Sequence, residues 1–96
     1  MAQDDDFSLD QNYPNPFNPE TKINYQLAAG SFVTLGIYDL LGREIKLLVN
    51  EEQPHGRYTV SWNGTDNFGN KVPSGIYMYT LRTGNSVFTK KMVLMK

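Results

Sequence analysis

The sequence predicts an all-β protein, an antiparallel sandwich of about seven strands. Apolar and polar residues alternate at a period of two in nearly every segment, which is the pattern of half-buried strands. The breaks between these segments are made of Gly, Pro, Asn and Asp, at the spacing of an all-β domain. Only residues 39–50 resemble a helix in their apolar spacing, and Gly42 within them argues against one.

Six long segments, preceded by a short one, make up the predicted strands. In the second of the seven, for example, Ile23, Tyr25 and Leu27 share one face and are predicted to line the core. In chain order the predicted strands cover Phe7–Leu9, Thr21–Leu27, Phe32–Asp39, Glu44–Val49, Arg57–Asn63, Ile76–Arg82 and Val87–Lys96.

The fourth and the last predicted strands differ in how regularly their apolar residues alternate. The fourth places Ile45, Leu47 and Val49 together on the core side. In the last one, the apolar side chains share their parity with Lys90 and Lys96, so that charged groups fall on the apolar face. A bulge or a position at the edge of the sheet would reconcile the two.

The connections carry the residues that turns require. Leu40–Arg43 predicts a tight hairpin, in which Gly42 is free to take a positive φ and Asp39 caps the turn. In the longest irregular stretch, residues 64–70, Asp66 is predicted to shape the loop through Asx turns. A Ca²⁺ site is the alternative, but the ligand spacing of a Ca²⁺ loop is missing. The sequence therefore predicts neither a metal nor a cofactor.

Tyr13–Pro19 contains three prolines that alternate with Asn and Phe. Each Pro fixes its own φ and pushes the preceding residue into an extended conformation. The segment is predicted to be a stiff, extended strap, in which Phe17 plugs the end of the core. Asn15 and Asn18 are predicted to bond nearby backbone amides. A Pro-rich ligand for an aromatic groove is the alternative interpretation.

Length and composition bound the class of protein. The 96 residues suffice for one domain, predicted to span residues 7–96, with residues 1–6 an acidic, solvated leader or a cloning junction. A net charge of −1 favours no nucleic-acid partner, and the absence of Cys excludes disulfides and thiol nucleophiles. No apolar run approaches the ~20 residues of a membrane span, and the first residues lack the features of a signal peptide.

Side chains for catalysis are scarce. His55 is the single histidine, and no Ser or acidic residue stands at a recognisable spacing to act as its nucleophile or orienting partner. We therefore predict a solvated loop residue at this position, no catalytic residues, and a protein that is not an enzyme.

The aromatic residues allow two interpretations. Four of them fall at core parity on predicted strands, which favours burial, although a sugar-stacking platform is the alternative. On the opposite parity, Phe32 and Tyr38 are predicted to be exposed or to form inter-chain contacts. The four at core parity are Tyr58, Trp62, Tyr77 and Tyr79.

The last seven residues, Lys90–Lys96, form an apolar segment with lysines at both ends. Because most chain termini fray, the apolar content indicates that this terminus is built into a sheet. It is either an ordinary closing strand with solubilising lysines or an address that other proteins read.

Taken in order, these segments resemble a known family. They are similar to the C-terminal sorting domain of bacterial type IX secretion cargo, type A of the Por secretion class, and to the immunoglobulin-like domain of flagellar hook-capping proteins. The resemblance covers Phe7 to Lys96. The segments that carry it are residues 13–19 and 21–27, residues 33–39 with Gly42 and Arg43, Gly56–Tyr58, Trp62–Asp66, Ser74–Tyr77 and the closing lysine-rich strand.

The resemblance implies an immunoglobulin-like sandwich and a non-enzymatic signal that directs a larger cargo protein to the cell surface. The implied partners are the outer-membrane type IX translocon, a surface sortase and an N-terminal cargo domain. The implied route runs through the periplasm and outer membrane, and the isolated domain is expected to be a monomer. An accessory module that binds carbohydrate or protein is the alternative. The candidate sorting-signal residues are Gly75, Tyr77, Lys90, Lys91, Met92, Val93, Leu94, Met95 and Lys96.

Overall fold

A computed structural model describes residues 6–95 and confirms the all-β prediction. Seven strands form two antiparallel sheets, one of three strands and one of four. The described residues include no helix, and hence none long and apolar enough to cross a membrane. The strands are β1 (Ser8–Leu9), β2 (Thr21–Leu27), β3 (Ser31–Tyr38), β4 (Glu44–Gln53), β5 (Gly56–Trp62), β6 (Gly75–Arg82) and β7 (Val87–Leu94).

The two sheets have the strand orders β1-β2-β5 and β4-β3-β6-β7. The β3–β4 turn, the start of β6 and the end of β7 lie together, since Tyr38 pairs with Met78 and Gly75 pairs with Leu94. We call this the C-terminal end of the sandwich. The N-terminal segment enters at the other end, where the Gln26 side chain donates to the Asp6 carbonyl at 3.1 Å.

The core lies between the sheets and is built from the predicted alternating positions. In β2, Ile23, Tyr25 and Leu27 are buried, while Lys22 and Asn24 on the other face are exposed. The same alternation in β3 and β6 supplies six more buried apolar side chains, which are Val33, Leu35, Ile37, Tyr77, Tyr79 and Leu81. Burial of apolar area drives folding by about 25 cal/mol per Å², so these alternating faces hold the two sheets together.

Phe17 and Trp62 close the core at the C-terminal end. The Trp62 ring lies 5.7 Å from that of Phe17 and 5.5 Å from that of Tyr77, centroid to centroid, and its Nε1 donates to the Thr65 carbonyl at 2.8 Å. The predictions that Phe17 plugs the core and that Trp62 is buried are therefore confirmed.

The fourth strand differs from its prediction. Its register against β3 shifts twice, so that β4 holds one extra residue at Leu48 and another at Ile45. Each extra residue reverses the alternation that follows. Ile45, Leu48 and Val49 therefore contact the core, and the prediction that Leu47 shares their face is wrong. A period of two does not show where a bulge falls.

The β3–β4 turn forms as predicted. The Asp39 carboxylate accepts from the backbone amides of Leu41 and Arg43 at 2.9 Å, and its other oxygen accepts from the Arg43 guanidinium at 2.7 Å. These hydrogen bonds hold the pKa of Asp39 below its ordinary value, and the bond from the Arg43 backbone amide contributes most to this shift. Gly42 has φ of +85°, a conformation that glycine adopts without strain.

A buried hydroxyl joins the N-terminal segment to β6. The Tyr79 hydroxyl donates to the Asp10 carbonyl at 2.8 Å and accepts from the Asn12 amide at 2.7 Å. Asn12 is itself buried and bonds the Thr21 hydroxyl at 2.9 Å. Because burial disfavours the phenolate, it raises the pKa of Tyr79 to about 12.

This pKa predicts a loss of stability at high pH. Above pH 10 the unfolded chain ionises at Tyr79, while the folded chain stays neutral there until about pH 12, so the free energy of unfolding falls across that window. We expect Tyr79→Phe to flatten this fall in denaturant titrations between pH 9 and pH 12. Burial also raises the pKa of Tyr25 and Tyr77, so part of the slope remains. Equal slopes in both proteins would contradict the assignment.

Candidate functional site at the C-terminal strand

The candidate sorting strand, β7, lies at the edge of the four-stranded sheet. Its eight residues pair with β6 from Val87 opposite Arg82 to Leu94 opposite Gly75, and the register has no shift. Of the two explanations offered for its irregular pattern, the edge position therefore holds and the bulge does not. An edge strand can keep a charged group at core parity because the side chain reaches water past the rim of the sandwich.

Alternate side chains of β7 face the core. Met92 and Leu94 are buried, and Phe88 packs against the core from a half-buried position. Lys90 shares their face, opposite the buried Tyr79, and is half buried. A lysine in such a position can bury its stem while its charged end stays in water, which accounts for a charged residue at core parity.

The other side chains of β7 face outward. Lys91 is exposed and Val93 is half buried, and Met95, which directly follows the strand, is exposed, so these are the terminal side chains that the fold displays. Of the predicted candidates, Lys96 lies outside the described residues.

The strap covers the outer backbone edge of β7. The Phe17 amide donates to the Val93 carbonyl at 3.0 Å, and the Met95 amide donates to the Phe17 carbonyl at 2.9 Å. The Asn15 side chain accepts from the Val93 amide at 2.9 Å, and Gln11, just before the strap, donates to the Lys91 carbonyl at 2.7 Å. The Lys91 carbonyl, both backbone groups of Val93 and the Met95 amide are therefore engaged by the segment that runs from Gln11 to Phe17.

Two predictions about the strap need correction. The segment is not extended throughout, since bends fall at residues 14–16 and 18–19 on either side of the Phe17 bridge to Leu94. Asn15 bonds the Val93 amide, 78 positions away, rather than a nearby backbone amide. Sequence reasoning did not recognise that Gln11 and Asn15 protect an edge, because nothing local to these residues indicates the distant strand.

Gly75 and Tyr77 hold the partner strand of β7 in place. Tyr77 is buried, its ring packs edge-on against Trp62, and its hydroxyl donates to the Pro73 carbonyl at 2.6 Å. Gly75 has φ of +151°, and a Cβ there would meet nothing within 4 Å, so its conformation rather than its small size calls for glycine. Both residues build the site but display no side chain to a partner.

The lysines of β7 form no ion pair with the described residues 6–95. The one ion pair found in residues 6–95 joins Arg43 to Asp39, far along the chain from β7. Lys90 and Lys91 therefore have no described carboxylate within 4 Å, and Lys91 projects from the sheet into water. An unpaired, exposed charge is available to a partner at little desolvation cost.

The Asp66 loop is shaped by the predicted Asx turns. One Asp66 carboxylate oxygen accepts from the Phe68 and Asn70 amides, both at 2.9 Å. The next residue, Asn67, bonds the edge of β4 through its backbone amide to Ile45 and its side-chain oxygen to Leu47, again at 2.9 Å. The loop therefore covers part of the second open edge of the four-stranded sheet.

Because protein amides already engage this carboxylate, we expect the loop to need no ion. A chelator should leave the melting temperature unchanged, and added Ca²⁺ should not raise it. Differential scanning calorimetry with and without excess chelator measures this. A drop of several degrees that Ca²⁺ restores would show that the loop binds a cation.

The structure brings no catalytic or metal-binding group together around the remaining candidate residues in the described part of the chain. His55 is exposed in the β4–β5 turn, at the opposite end from Trp62, and residues 6–95 hold no group of three His, Cys, Asp or Glu side chains that would bind a metal. Trp62, Tyr77 and Tyr79 are buried, so they offer no platform for sugar stacking.

Comparison with known proteins defines the class. Residues 11–86 match the family model described as the FlgD Ig-like domain, which is more than half of the chain. The chain belongs to this family, and the predicted immunoglobulin-like sandwich is confirmed. None of the curated proteins matches it.

Three solved structures share the fold. Dimeric latent PorU from Porphyromonas gingivalis is 20% identical, with a TM-score of 0.70 over 93% of this chain and 9% of PorU. FlgD from P. aeruginosa is 25% identical, with a TM-score of 0.60 over 77% of this chain and 58% of FlgD. PorZ, described as an essential surface component of the type-IX secretion system of P. gingivalis, is 20% identical, with a TM-score of 0.60 over 96% of this chain and 12% of PorZ. The chain thus spans less than two thirds of each.

Proposed function

We propose that residues 7–96 form a type A C-terminal sorting domain of the type IX secretion system. In this role the domain is not an enzyme, and it directs a larger cargo protein across the outer membrane to the cell surface. The observation that carries the proposal is the closing strand: Lys91 on β7 and Met95 directly after it are exposed beside a backbone edge that the strap bonds. The likeness to PorU and PorZ, the latter a type-IX secretion component by its description, supports it.

The positions of the two ends of the described chain suit this role. Asp6 lies next to Gln26, whereas Met95 bonds Phe17 at the C-terminal end of the sandwich. A cargo domain that precedes residue 6 would therefore join at the end away from the sorting strand. The proposed partners are the outer-membrane translocon and a surface sortase, met by a monomeric domain.

The alternative is an accessory module that binds carbohydrate or protein. A stacked aromatic pair exists, Tyr25 and Tyr58, with ring centroids 5.3 Å apart and planes inclined by 13°. Tyr25 is buried, however, and its hydroxyl donates to the Gln53 side chain at 2.6 Å, so the pair belongs to the fold. With Trp62 buried as well, the aromatic residues favour the sorting role over sugar binding.

Fusion to a periplasmic reporter in a type IX-competent bacterium tests the proposal. The domain should send the reporter to the cell surface, and a Lys90→Ala, Lys91→Ala, Lys96→Ala variant should remain folded but export poorly. Substitutions that remove no buried contact or ion pair usually change stability by about ±0.5 kcal/mol or less, and thermal unfolding of the variant checks that the export defect is separable from unfolding. The sequence offers a matched control of equal charge, the triple variant Lys22→Ala, Lys46→Ala, Lys71→Ala.

Surface fluorescence and cell fractionation provide the readout. Normal export by the terminal triple variant would show that the lysines are not part of the signal. Equal defects in both triple variants would point to total charge rather than to β7. A reporter that stays in the periplasm with the unaltered domain would overturn the sorting role itself.

A further inference from the structure

The outer face of the four-stranded sheet carries an apolar patch around one lysine. Antiparallel partners share a face, so the pairs Ile76–Val93 and Met78–Lys91 place four side chains side by side on β6 and β7. Ile76 is 46% exposed and Lys91 is exposed, while Met78 and Val93 are half buried. We call these four residues, Ile76, Met78, Lys91 and Val93, the β6–β7 patch.

A shallow hollow borders this patch on the β3 side. Tyr38 pairs with Met78 on the same face, and its ring turns back over Gly36, where a Cβ would lie 2.8 Å from the tyrosine hydroxyl. Tyr38, Met78 and Arg82 line the hollow. This face of the sheet is therefore uneven rather than flat, and the hollow offers space for a side chain of a partner.

The charges of this face are segregated. Lys91 and Arg82 lie on its β6–β7 side, roughly 13 Å apart along the strands, and neither has a carboxylate within 4 Å in the described part of the chain. The carboxylates of the same face, Glu44 and Glu52, lie on β4 at the far edge of the sheet. A partner with carboxylates over β6 and β7 complements this arrangement.

The described chain leaves the patch uncovered. The strap binds the backbone edge of β7 and not its outer face, as the bonds to Val93 and Met95 show. The described chain begins at the opposite end, where Asp6 lies next to Gln26.

We propose that the β6–β7 patch is a docking surface for a protein of the export machinery that presents apolar side chains flanked by carboxylates. Because Gln11 and the strap occupy the edge beside Lys91 and Val93, the partner reads side chains there and does not add a strand along this stretch of β7. The inference rests on the proposed sorting function and deepens it, since it selects one face of the terminal strand. Buried Met92 and Leu94 then matter for folding, and Lys91 and Ile76 for recognition.

The test uses the reporter fusion with two matched pairs of variants. Lys91→Glu reverses the charge in the patch, and Lys22→Glu makes the same change on the outer face of the three-stranded sheet, opposite Ser61. Ile76→Thr removes apolar surface from the patch, and Val87→Thr does so on the same face near the other end of β7, where Val87 is 56% exposed. Thermal unfolding of each purified domain reports whether the fold is retained.

We expect Lys91→Glu and Ile76→Thr each to lower export at least about fivefold, the loss typical of a central interface residue. The two control variants should stay within about twofold of the unaltered domain. Normal export of both patch variants, in a cell that exports the unaltered fusion, would overturn the docking surface and leave the sorting function standing. Equal defects in patch and control variants would overturn it too. If the unaltered fusion is not exported, the sorting function fails, and the docking surface fails with it.

Discussion

Trp62→Ala is expected to lower the free energy of unfolding by about 3–5 kcal/mol. The side chain is 1% exposed and contacts both Phe17 and Tyr77, and its Nε1–H bond leaves the Thr65 carbonyl unpaired when removed. Alanine leaves a cavity that neighbours on three different segments cannot jointly fill. Since the stability of a natural domain is about 5–15 kcal/mol, the variant should be largely unfolded at moderate temperature.

Urea denaturation followed by circular dichroism measures the effect. The matched control is Phe68→Ala, which removes an aromatic ring that is 88% exposed in the Asp66 loop and should change stability by about 0.5 kcal/mol or less. A Trp62→Ala protein as stable as the control would refute the placement of Trp62 at the end of the core.

Removal of Met92–Lys96 should have a still larger effect. It takes away the buried Met92 and Leu94, each worth about 1.5–3 kcal/mol, together with the ladder bonds to β6 and those to the strap. We expect the truncated domain to lack a cooperative unfolding transition. Export by the truncated fusion would therefore argue against a folded sorting domain as well as against a terminal signal.

Two point variants separate burial from backbone pairing in this prediction. Leu94→Ala should lower the free energy of unfolding by about 2–5 kcal/mol, because Leu94 is 3% exposed. Met95→Ala should be near neutral, because Met95 is 51% exposed. Similar losses in both variants would mean that the end of β7 is held by something other than the burial of Leu94.

Local patterns predicted the fold because most of its information is local. Alternation in β2, β3, β5 and β6 placed their buried faces correctly, since each pleated strand turns successive side chains to opposite sides. The Asp39 turn followed from residues within four positions of each other. Alternation predicted the buried face of β4 wrongly, because a bulge depends on the register against β3 and not on the composition of β4.

The candidate site was harder to predict than the fold. Its strand was recognised from Lys90–Lys96, and core parity correctly predicted that Tyr77 and Trp62 are buried. The sequence did not show that their rings pack against each other or which lysine is displayed. Such properties depend on contacts between distant parts of the chain. The bond between Asn15 and Val93, for example, joins residues 78 positions apart and has no local signature in the sequence. Edge protection is decided by tertiary structure, and a single sequence records only the residue types that make it possible.

The bonds between the strap and β7 also bear on when the domain folds. Phe17 lies near the start of the chain, yet its amide and carbonyl find their partners at Val93 and Met95. The start of the strap can pair early, because Tyr13 bonds the backbone of nearby Lys22, but Phe17 lacks these two partners until Val93 and Met95 have been made. Closing so long a loop costs entropy that only the finished contacts repay. The strap therefore cannot close over the edge of the four-stranded sheet before β7 is present, and a completed sandwich implies that β7 has been made.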